Sequence, residues 1–179
     1  VPGGLQVSGS ASVDGTGRLT LSGNYSLNGI YNRPLVISAG ALVNFGSATF
    51  NQPVTVNPGG TWTINGSATI TINESLTNRG TLRWISRNNV FNLLGAGRVE
   101  NLGLWEIFSD PGCPQCGSES VVQLPVNVPA GGKLLMSTNG IVSFTPGSSL
   151  TVAGELEVQE GGRVRLDGNN PPRDLTLAA

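Results

Sequence analysis

Apolar residues recur along the chain in one short pattern. An apolar residue is followed four positions later by a small residue, here called the anchor, and then by two apolar residues at alternate positions. Apolar residues spaced by two have the period of a strand with one buried face. The eight copies run over Val13–Leu21, Ile37–Phe45, Val56–Ile64, Leu76–Trp84, Val99–Ile107, Val128–Met136, Phe144–Val152 and Val158–Leu166.

The anchors indicate corners between strands. They are Gly17, Ala41, Gly60, Gly80, Gly103, Gly132, Ser148 and Gly162. Glycine turns a tight corner, including at positive φ, without a Cβ clash. Pro58-Gly59-Gly60 and the Gly-Gly pairs at Gly131 and Gly161 mark the same kind of corner.

The anchor spacings are 24, 19, 20, 23, 29, 16 and 14 residues, and their centre near 20 is the length of one solenoid coil. Further strands are expected over 48–50, 69–72, 89–91 and 141–144. One coil cannot bury its apolar face alone, whereas stacked coils can. We therefore predict an all-β fold, a single-stranded right-handed parallel β-helix (β-solenoid) of about seven to eight coils.

A β-sandwich is the alternative fold, because it also has short strands at regular spacing. It would not require a small residue at one fixed offset before each strand, so the solenoid is favoured. The two short final spacings predict smaller or differently shaped C-terminal coils.

The same register predicts which side chains point outward. Trp62, Trp84 and Trp105 fall on inward positions, which predicts packed core rather than an aromatic sugar-binding strip. One outward column is predicted to be Arg18, Leu42, Thr61, Thr81, Leu104, Lys133, Ser149 and Arg163, and the other Thr20, Asn44, Thr63, Arg83, Glu106, Leu135, Thr151 and Arg165.

The solenoid is expected to occupy residues 1–168, with a loop insertion at about 108–120. Asn169-Asn170-Pro171-Pro172 suggests that residues 169–179 form a tail, cap or linker. No leader-like segment and no long apolar run is visible, so the expectation is a mature form or a piece of a larger protein without a membrane span.

Composition narrows the function classes. Charged residues make up 12%, the net charge is −1 and histidine is absent. The absence of histidine removes the commonest general base and metal ligand, and the chain lacks the basic balance usual in nucleic-acid binders. No catalytic residue, metal site or cofactor is predicted.

Cys113 and Cys116 lie in the longest spacing between anchors. A Cys-x-x-Cys pair can be a redox centre, half a zinc site or a local disulfide. No βαβ unit accompanies this pair, and no other Cys or His could complete a zinc site. The sequence favours a disulfide that tightens a protruding loop in an oxidising compartment.

Arg79, Arg83, Arg87 and Arg98 form the one basic concentration. Arg83 and Glu106 are predicted neighbours in one outward column, which favours a cross-strand ion pair. A patch that binds phosphate or acidic sugars is the functional alternative.

Two polar clusters have weaker functional readings. Glu155, Glu157 and Glu160 could serve glycoside hydrolysis or Ca²⁺ binding, but a solvated face balanced by Arg163 and Arg165 is favoured. The Thr-x-Thr pairs at 61–63 and 69–71 are too few for the long array of an ice-binding solenoid.

Leu76-Thr77-Asn78-Arg79-Gly80-Thr81-Leu82 and Val99-Glu100-Asn101-Leu102-Gly103-Leu104-Trp105 resemble the repeats of large secreted parallel β-helix proteins, among them surface adhesins and stalk proteins. The arginines and the Cys-containing loop also resemble, more weakly, the β-solenoid module of competence-type minor pilins, which are proposed to contact DNA. Polysaccharide lyases resemble the chain in fold alone, and its Asp14, Asp110, Asp167 and Asp174 are scattered.

These resemblances imply a non-enzymatic module outside the cell or at its surface, acting as a rigid stalk or adhesive domain. A surface glycan or a protein is the expected partner, contacted through the Cys loop and the arginine coil. DNA bound through the arginines of a pilus-tip module is the alternative, and a polysaccharide-active enzyme and an ice-binding protein are weaker ones.

Overall fold

A computed structural model describes residues 7, 9–65, 67–86, 90–109, 119–137, 140–166 and 175–177. Every regular element among them is a β-strand, and the strands pair in parallel. The chain is therefore an all-β parallel solenoid, as the repeat predicts.

The strands form three faces. The first face is an eight-stranded sheet of β2 (Leu19–Leu21), β4 (Leu35–Ile37), β6 (Val54–Val56), β9 (Ser75–Asn78), β12 (Arg98–Asn101), β15 (Val126–Val128), β18 (Leu150–Val152) and β21 (Leu175–Leu177). The second and third faces belong to a thirteen-stranded sheet, joined because β3 (Asn24–Tyr31) and β5 (Leu42–Phe50) run from one to the other.

The second face begins with the first halves of β3 and β5. It continues through β7 (Thr61–Asn65), β10 (Thr81–Ser86), β13 (Leu104–Ser109), β16 (Lys133–Ser137) and β19 (Glu155–Val158). The third face contains β1 (Ser12–Val13), the second halves of β3 and β5, β8 (Ala68–Ile72), β11 (Phe91–Leu94), β14 (Glu119–Val122), β17 (Ile141–Phe144) and β20 (Arg163–Leu166). The solenoid makes about six turns, slightly fewer than the predicted seven to eight coils.

The core is one continuous column inside the three faces. Trp62, Trp84 and Trp105 are 1%, 3% and 0% exposed, so the prediction that they point inward is confirmed. Aromatic rings contact one another through successive coils: the Trp84 and Trp105 centroids are 4.6 Å apart, and Tyr31 stacks on Phe50 at 5.0 Å. Such ring pairs stabilise the core beyond the burial of their area.

The anchors are small mainly because the coils approach closely. A Cβ on Gly103 would lie 2.3 Å from the carbonyl oxygen of Gly80, and one on Gly132 would lie 1.9 Å from that of Asn101. Positive φ falls instead on the residue before several anchors, as at Gly59 and Gly131. The corner prediction therefore holds, but at these anchors the reason is steric contact between coils rather than backbone handedness.

Copies of the sequence pattern do not all lie on one face. Five lead into the second face, whereas the first and seventh lead into β2 and β18 on the first face and the eighth into β20 on the third. The predicted columns are therefore correct from Leu42 to Lys133 and from Asn44 to Leu135, and wrong at both ends. Beyond Lys133 and Leu135, Glu155 and Glu157 follow.

The predicted shrinkage of the C-terminal coils is wrong for the same reason. Leu150 on β18 pairs with Leu175 on β21, so this coil is as long as those before it. The short spacings arose because the seventh and eighth copies mark different corners of one coil.

Two asparagine ladders connect the coils. At the corner after the first face, Asn78 donates from Nδ2 to Oδ1 of Asn101 at 2.7 Å, and both residues are fully buried. At an exposed corner, Asn73 donates to Asn51, Asn51 to Asn32 and Asn32 to Asp14, at 2.7, 2.6 and 2.6 Å. Hydrogen bonds from Ser12 and Asn32 lower the pKa of Asp14.

Candidate binding surface

An ion pair lies at the centre of the second face. Arg83 and Glu106 are register partners on β10 and β13, and Arg83 Nε donates to Glu106 Oε2 at 3.0 Å. The Arg83 guanidinium also lies 5.3 Å from the ring centroid of Phe108. The predicted cross-strand ion pair is confirmed, and Phe108 is a contact that the sequence analysis missed.

The Arg83 group remains accessible despite these contacts. The Arg83 side chain is 43% exposed and that of Glu106 is 22% exposed. Glu106 accepts from the Nε–H, which is one of the five N–H donors of the guanidinium, and the ring of Phe108 lies beside the group. Arg83, Glu106 and Phe108, here called the Arg83 cluster, can therefore contact a ligand through the remaining N–H groups and the ring edge.

The predicted arginine patch is divided between faces. Arg98 is exposed on β12 of the first face, with its Nε 4.0 Å from Glu100 Oε1. Arg79 is exposed at the corner between the first and second faces. Arg87 lies outside the described residues. The three described arginines therefore do not share one face, although they belong to adjacent coils.

A second charged group holds β19 to the preceding coil. Lys133 Nζ donates to Glu155 Oε1 at 2.7 Å and also contacts Glu157 Oε2. Gln159 donates to the other oxygen of Glu157 at 2.7 Å. The hydrogen bonds that Lys133 donates to Glu155 and Glu157 raise the pKa of Lys133, and the one to Glu157 lowers the pKa of that carboxyl. These residues form the Lys133 clasp.

Glu155 and Glu157 therefore belong to a charge-balanced surface, as the sequence analysis favoured. Their partner is Lys133 from the neighbouring coil, whereas Arg163 and Arg165 lie on the third face. Among the described residues, no group of three or more His, Cys, Asp or Glu side chains is placed to hold a metal ion.

Strands β10 and β13 end side by side at one corner. Ser86 and Ser109 are register partners at the ends of β10 and β13, and the chain continues from them into 87–89 and 110–118. Arg87 and the pair Cys113 and Cys116 fall in these segments, outside the described residues, so the predicted disulfide stays a prediction. The Arg83 cluster lies on the strands that lead to this corner.

An open hollow of about 220 Å³ lies on the third face near the N-terminal coils. Its lining includes the hydroxyl side chains of Ser47, Thr49, Thr69 and Thr71. The predicted Thr-x-Thr pairs lie on different faces, because Thr61 and Thr63 belong to β7 and Thr69 and Thr71 to β8. The threonines thus do not form one continuous array.

The sequence analysis did not predict one column of outward side chains on the first face. Its members are Thr20, Val36, Thr55, Thr77, Glu100, Asn127 and Thr151. Asn127 donates to Glu100 at 2.8 Å within this column. In the sequence, most members lie between two apolar residues of a short strand. Strands of three residues are too short to identify from the sequence without knowing their pairing.

None of the described residues forms a helix that could cross a membrane. Comparison with known proteins found no matching family model, no similar curated protein and no similar solved structure.

Proposed function

We propose that this chain is a non-enzymatic β-solenoid module of a larger secreted or surface protein, acting as a rigid stalk with an adhesive surface. The observation that carries the proposal is the continuous pairing of all three faces from coil to coil. Parallel ladders on three sides resist bending in every direction, because bending must stretch hydrogen bonds on at least one face.

The interior supports the same role. Inward residues from β5 through β16 are almost completely buried, and aromatic rings of neighbouring coils contact one another in two groups, one that includes Phe45 and Trp62 and one that includes Trp84 and Trp105. Close-packed interiors are nearly incompressible. The module would therefore transmit force along its axis and hold apart whatever it connects.

The Arg83 cluster and the neighbouring corner are the proposed adhesive surface. An exposed guanidinium beside an aromatic ring suits a glycan with carboxylate groups or an acidic protein surface. The planar fork binds the carboxylate, and the ring contacts the apolar part of the ligand. A localisation outside the cell or at its surface is part of this proposal.

Array binding of the fluorescent chain to acidic and neutral glycans and to acidic proteins tests the adhesive role. We expect Arg83→Gln to weaken the strongest signal, whereas Arg18→Gln, an exposed arginine on the solenoid, should leave it unchanged. Equal binding by both variants would contradict the assignment of this surface. Turnover of any polysaccharide by the pure chain would contradict the non-enzymatic role.

DNA binding at a pilus tip is the alternative function, and its support is the presence of three arginines on adjacent coils. The positions of these arginines favour DNA binding less than adhesion, since Arg83 is paired with Glu106 and Arg98 lies on another face near Glu100. Fluorescence anisotropy of labelled duplex DNA at low and moderate salt decides between the two. Tight binding that weakens steeply with salt would favour DNA, and no binding at low salt would leave adhesion.

A further inference from the structure

The hollow on the third face has no part in the proposed adhesive surface. Its floor is the outward side of β5 and β8. Both strands are paired on each side along this face, β5 with β3 and β8, and β8 with β5 and β11. The hollow, here called the hydroxyl hollow, therefore opens sideways from the solenoid and not at an end of the stack. Its lining includes Gly9, Gly29, Ile30, Ser47, Ala48, Thr49, Thr69 and Thr71.

A bulge between β3 and β5 forms one side of the hollow. The register of the two strands shifts there, so that one residue of β3, Asn28, faces two of β5, Gly46 and Ser47. Bulges re-aim side chains and are common beside functional sites. Ser47 is exposed at this bulge, and its Oγ accepts a hydrogen bond from Thr69 N at 3.2 Å. The bulge thus holds the Ser47 hydroxyl at the rim of the hollow.

The first coil forms the opposite side. Two N–H groups of β3 donate to the carbonyls of Val7 and Ala11, at 3.0 and 2.9 Å. Because the first coil uses more residues than β3 between these two bonds, Gly9 stands out from the face and lines the hollow. Gly29 lies at the base with φ of +105°, where a Cβ would be 2.5 Å from the Ala11 carbonyl oxygen. A regular sheet would have no such recess.

The threonine hydroxyls of the hollow are available to a ligand. Thr49 and Thr71 are register partners on β5 and β8, and Thr69 lies on the same outward side of β8. All three are partly exposed. No hydrogen bond of the described residues uses the hydroxyl of any of these threonines. Since a hydroxyl donates one hydrogen bond and accepts two, a ligand here meets several donors and acceptors at once.

The lining determines which ligand chemistry fits. Among its described residues none is charged, so a carboxylate or ammonium group would lose water without gaining a counter-charge. A purely apolar ligand would cover the hydroxyls and leave them without partners. A neutral sugar avoids both costs, because its hydroxyls bond to serine and threonine while its C–H groups pack against Ile30 and the threonine methyl groups.

The size of the hollow agrees with one sugar ring. Its volume of about 220 Å³ is below the roughly 300–1,000 Å³ of sites for drug-sized ligands. Neighbouring strands lie about 4.8 Å apart, so the hydroxyls of Thr49 and Thr71 can reach two hydroxyls of the same ring. We propose that the hydroxyl hollow binds one neutral sugar residue of a glycan. The proposal is independent of the Arg83 cluster, which lies on the second face and suits acidic ligands.

Methyl glycosides of glucose, galactose and mannose test the site on the whole chain, with methyl glucuronide as the acidic comparison. Methyl NMR signals of threonine and isoleucine show where each one binds. We expect at least one neutral glycoside to shift the signals of Ile30, Thr49 and Thr71 saturably, with a dissociation constant in the millimolar range usual for a ligand of this size. The glucuronide should bind at least ~10-fold more weakly.

Two results of this titration would overturn the proposal. One is the absence of shifts at these residues with all three neutral glycosides at tens of millimolar. The other is equal binding of the glucuronide, because a site without a counter-charge should not accept a carboxylate.

Thr49→Val combined with Thr71→Val tests the hydroxyls themselves, with the Ile30 methyl signal as the readout. Valine keeps the shape of threonine and suits a strand. We expect the affinity for the bound glycoside to fall at least ~5-fold through the lost hydrogen bonds. Should this pair fail to fold, Thr71→Val alone should lower the affinity about twofold or more.

Thr55→Val combined with Thr77→Val is the matched control. These threonines are register partners on β6 and β9 and point outward on the first face. The control should bind the glycoside as the wild type does. An equal loss in both double variants, or no loss in the Thr49 and Thr71 pair, would overturn the assignment of the hollow.

Discussion

At the scale of single residues, the same side chain has different energetic roles in the two asparagine ladders. Asn101 is fully buried, accepts from Asn78 and donates to the carbonyl of Lys133 at 2.8 Å. Asn51 makes the equivalent ladder contacts where water can replace them. Loss of a buried polar partner leaves desolvated groups unpaired, whereas loss of an exposed one does not.

Asn101→Ala is therefore expected to lower the free energy of unfolding by about 2–3 kcal/mol, because it removes two hydrogen bonds at a fully buried corner, the one from Asn78 and the one to the Lys133 carbonyl. Asn51→Ala is the matched control and should cost less than ~0.5 kcal/mol. Urea unfolding curves of both variants check this. Equal costs would show that burial does not determine the value of the ladder.

The anchor glycines are the other residue-scale constraint. Gly103→Ala would place a Cβ 2.3 Å from the Gly80 carbonyl oxygen. The coils must separate to accommodate it, and we expect a loss of roughly 3 kcal/mol or more, at or above the upper end of overpacking costs.

Gly147→Ala separates this steric effect from backbone strain. Gly147 has φ of +97° and no atom near its Cβ position, so alanine there should cost only about 1–2 kcal/mol. Thermal or urea unfolding of both variants gives the comparison. A smaller loss at 103 than at 147 would contradict close coil contact as the reason for the anchors.

At the scale of elements, β19 is held by one ladder and by the Lys133 clasp. In the folded chain the pKa of Glu157 is lowered, so folding favours its charged form. The stabilisation is present above the unfolded pKa of about 4.3 and is lost as pH falls through the lower folded value. The pKa of Lys133 is raised, so its contribution to the free energy of unfolding is present at neutral pH. That contribution is lost as pH rises through the pKa of the folded state.

Glu157→Gln should therefore reduce amide protection in β19 near neutral pH, and the difference from wild type should narrow as pH falls from 5 to 3. Hydrogen–deuterium exchange, corrected for the intrinsic exchange rate at each pH, measures this difference in protection. The exposed Glu160→Gln is the control and should have no effect. A difference that is constant with pH would exclude the clasp as its origin.

At the scale of the whole molecule, the pairings of the described strands join each coil to the coils next to it. Stability in such a stack is the sum of coil and interface contributions, and terminal coils have one interface instead of two. The burial pattern agrees, since Trp105 and Ile107 on β13 are 0% and 1% exposed whereas Val158 on β19 is 47% exposed.

We expect amide protection to be highest in the central strands and to fall toward β19 and β20, with a difference of ~10-fold or more between β13 and β19. Hydrogen exchange with mass spectrometry at neutral pH resolves these segments. Uniform protection across all coils would instead indicate a single cooperative unit.

The sequence by itself determined the strands that follow the anchors, their inward side chains and the solenoid, because the spacing of two and the small anchors depend on local geometry and on burial. It also predicted the pairing of Arg83 with Glu106, since both follow anchors in correctly aligned copies. Tertiary structure alone decided which face each copy joins. All three corners use similar residues, so the pattern cannot distinguish β18 and β20 from strands of the second face.

That choice of face brought Glu155 and Glu157 to Lys133. Arg98 and Arg83 lie on different faces because β12 precedes the corner and β10 follows it. Local sequence fixes the periodicity of a strand, whereas contacts between coils far apart in sequence fix its neighbours and therefore its surface.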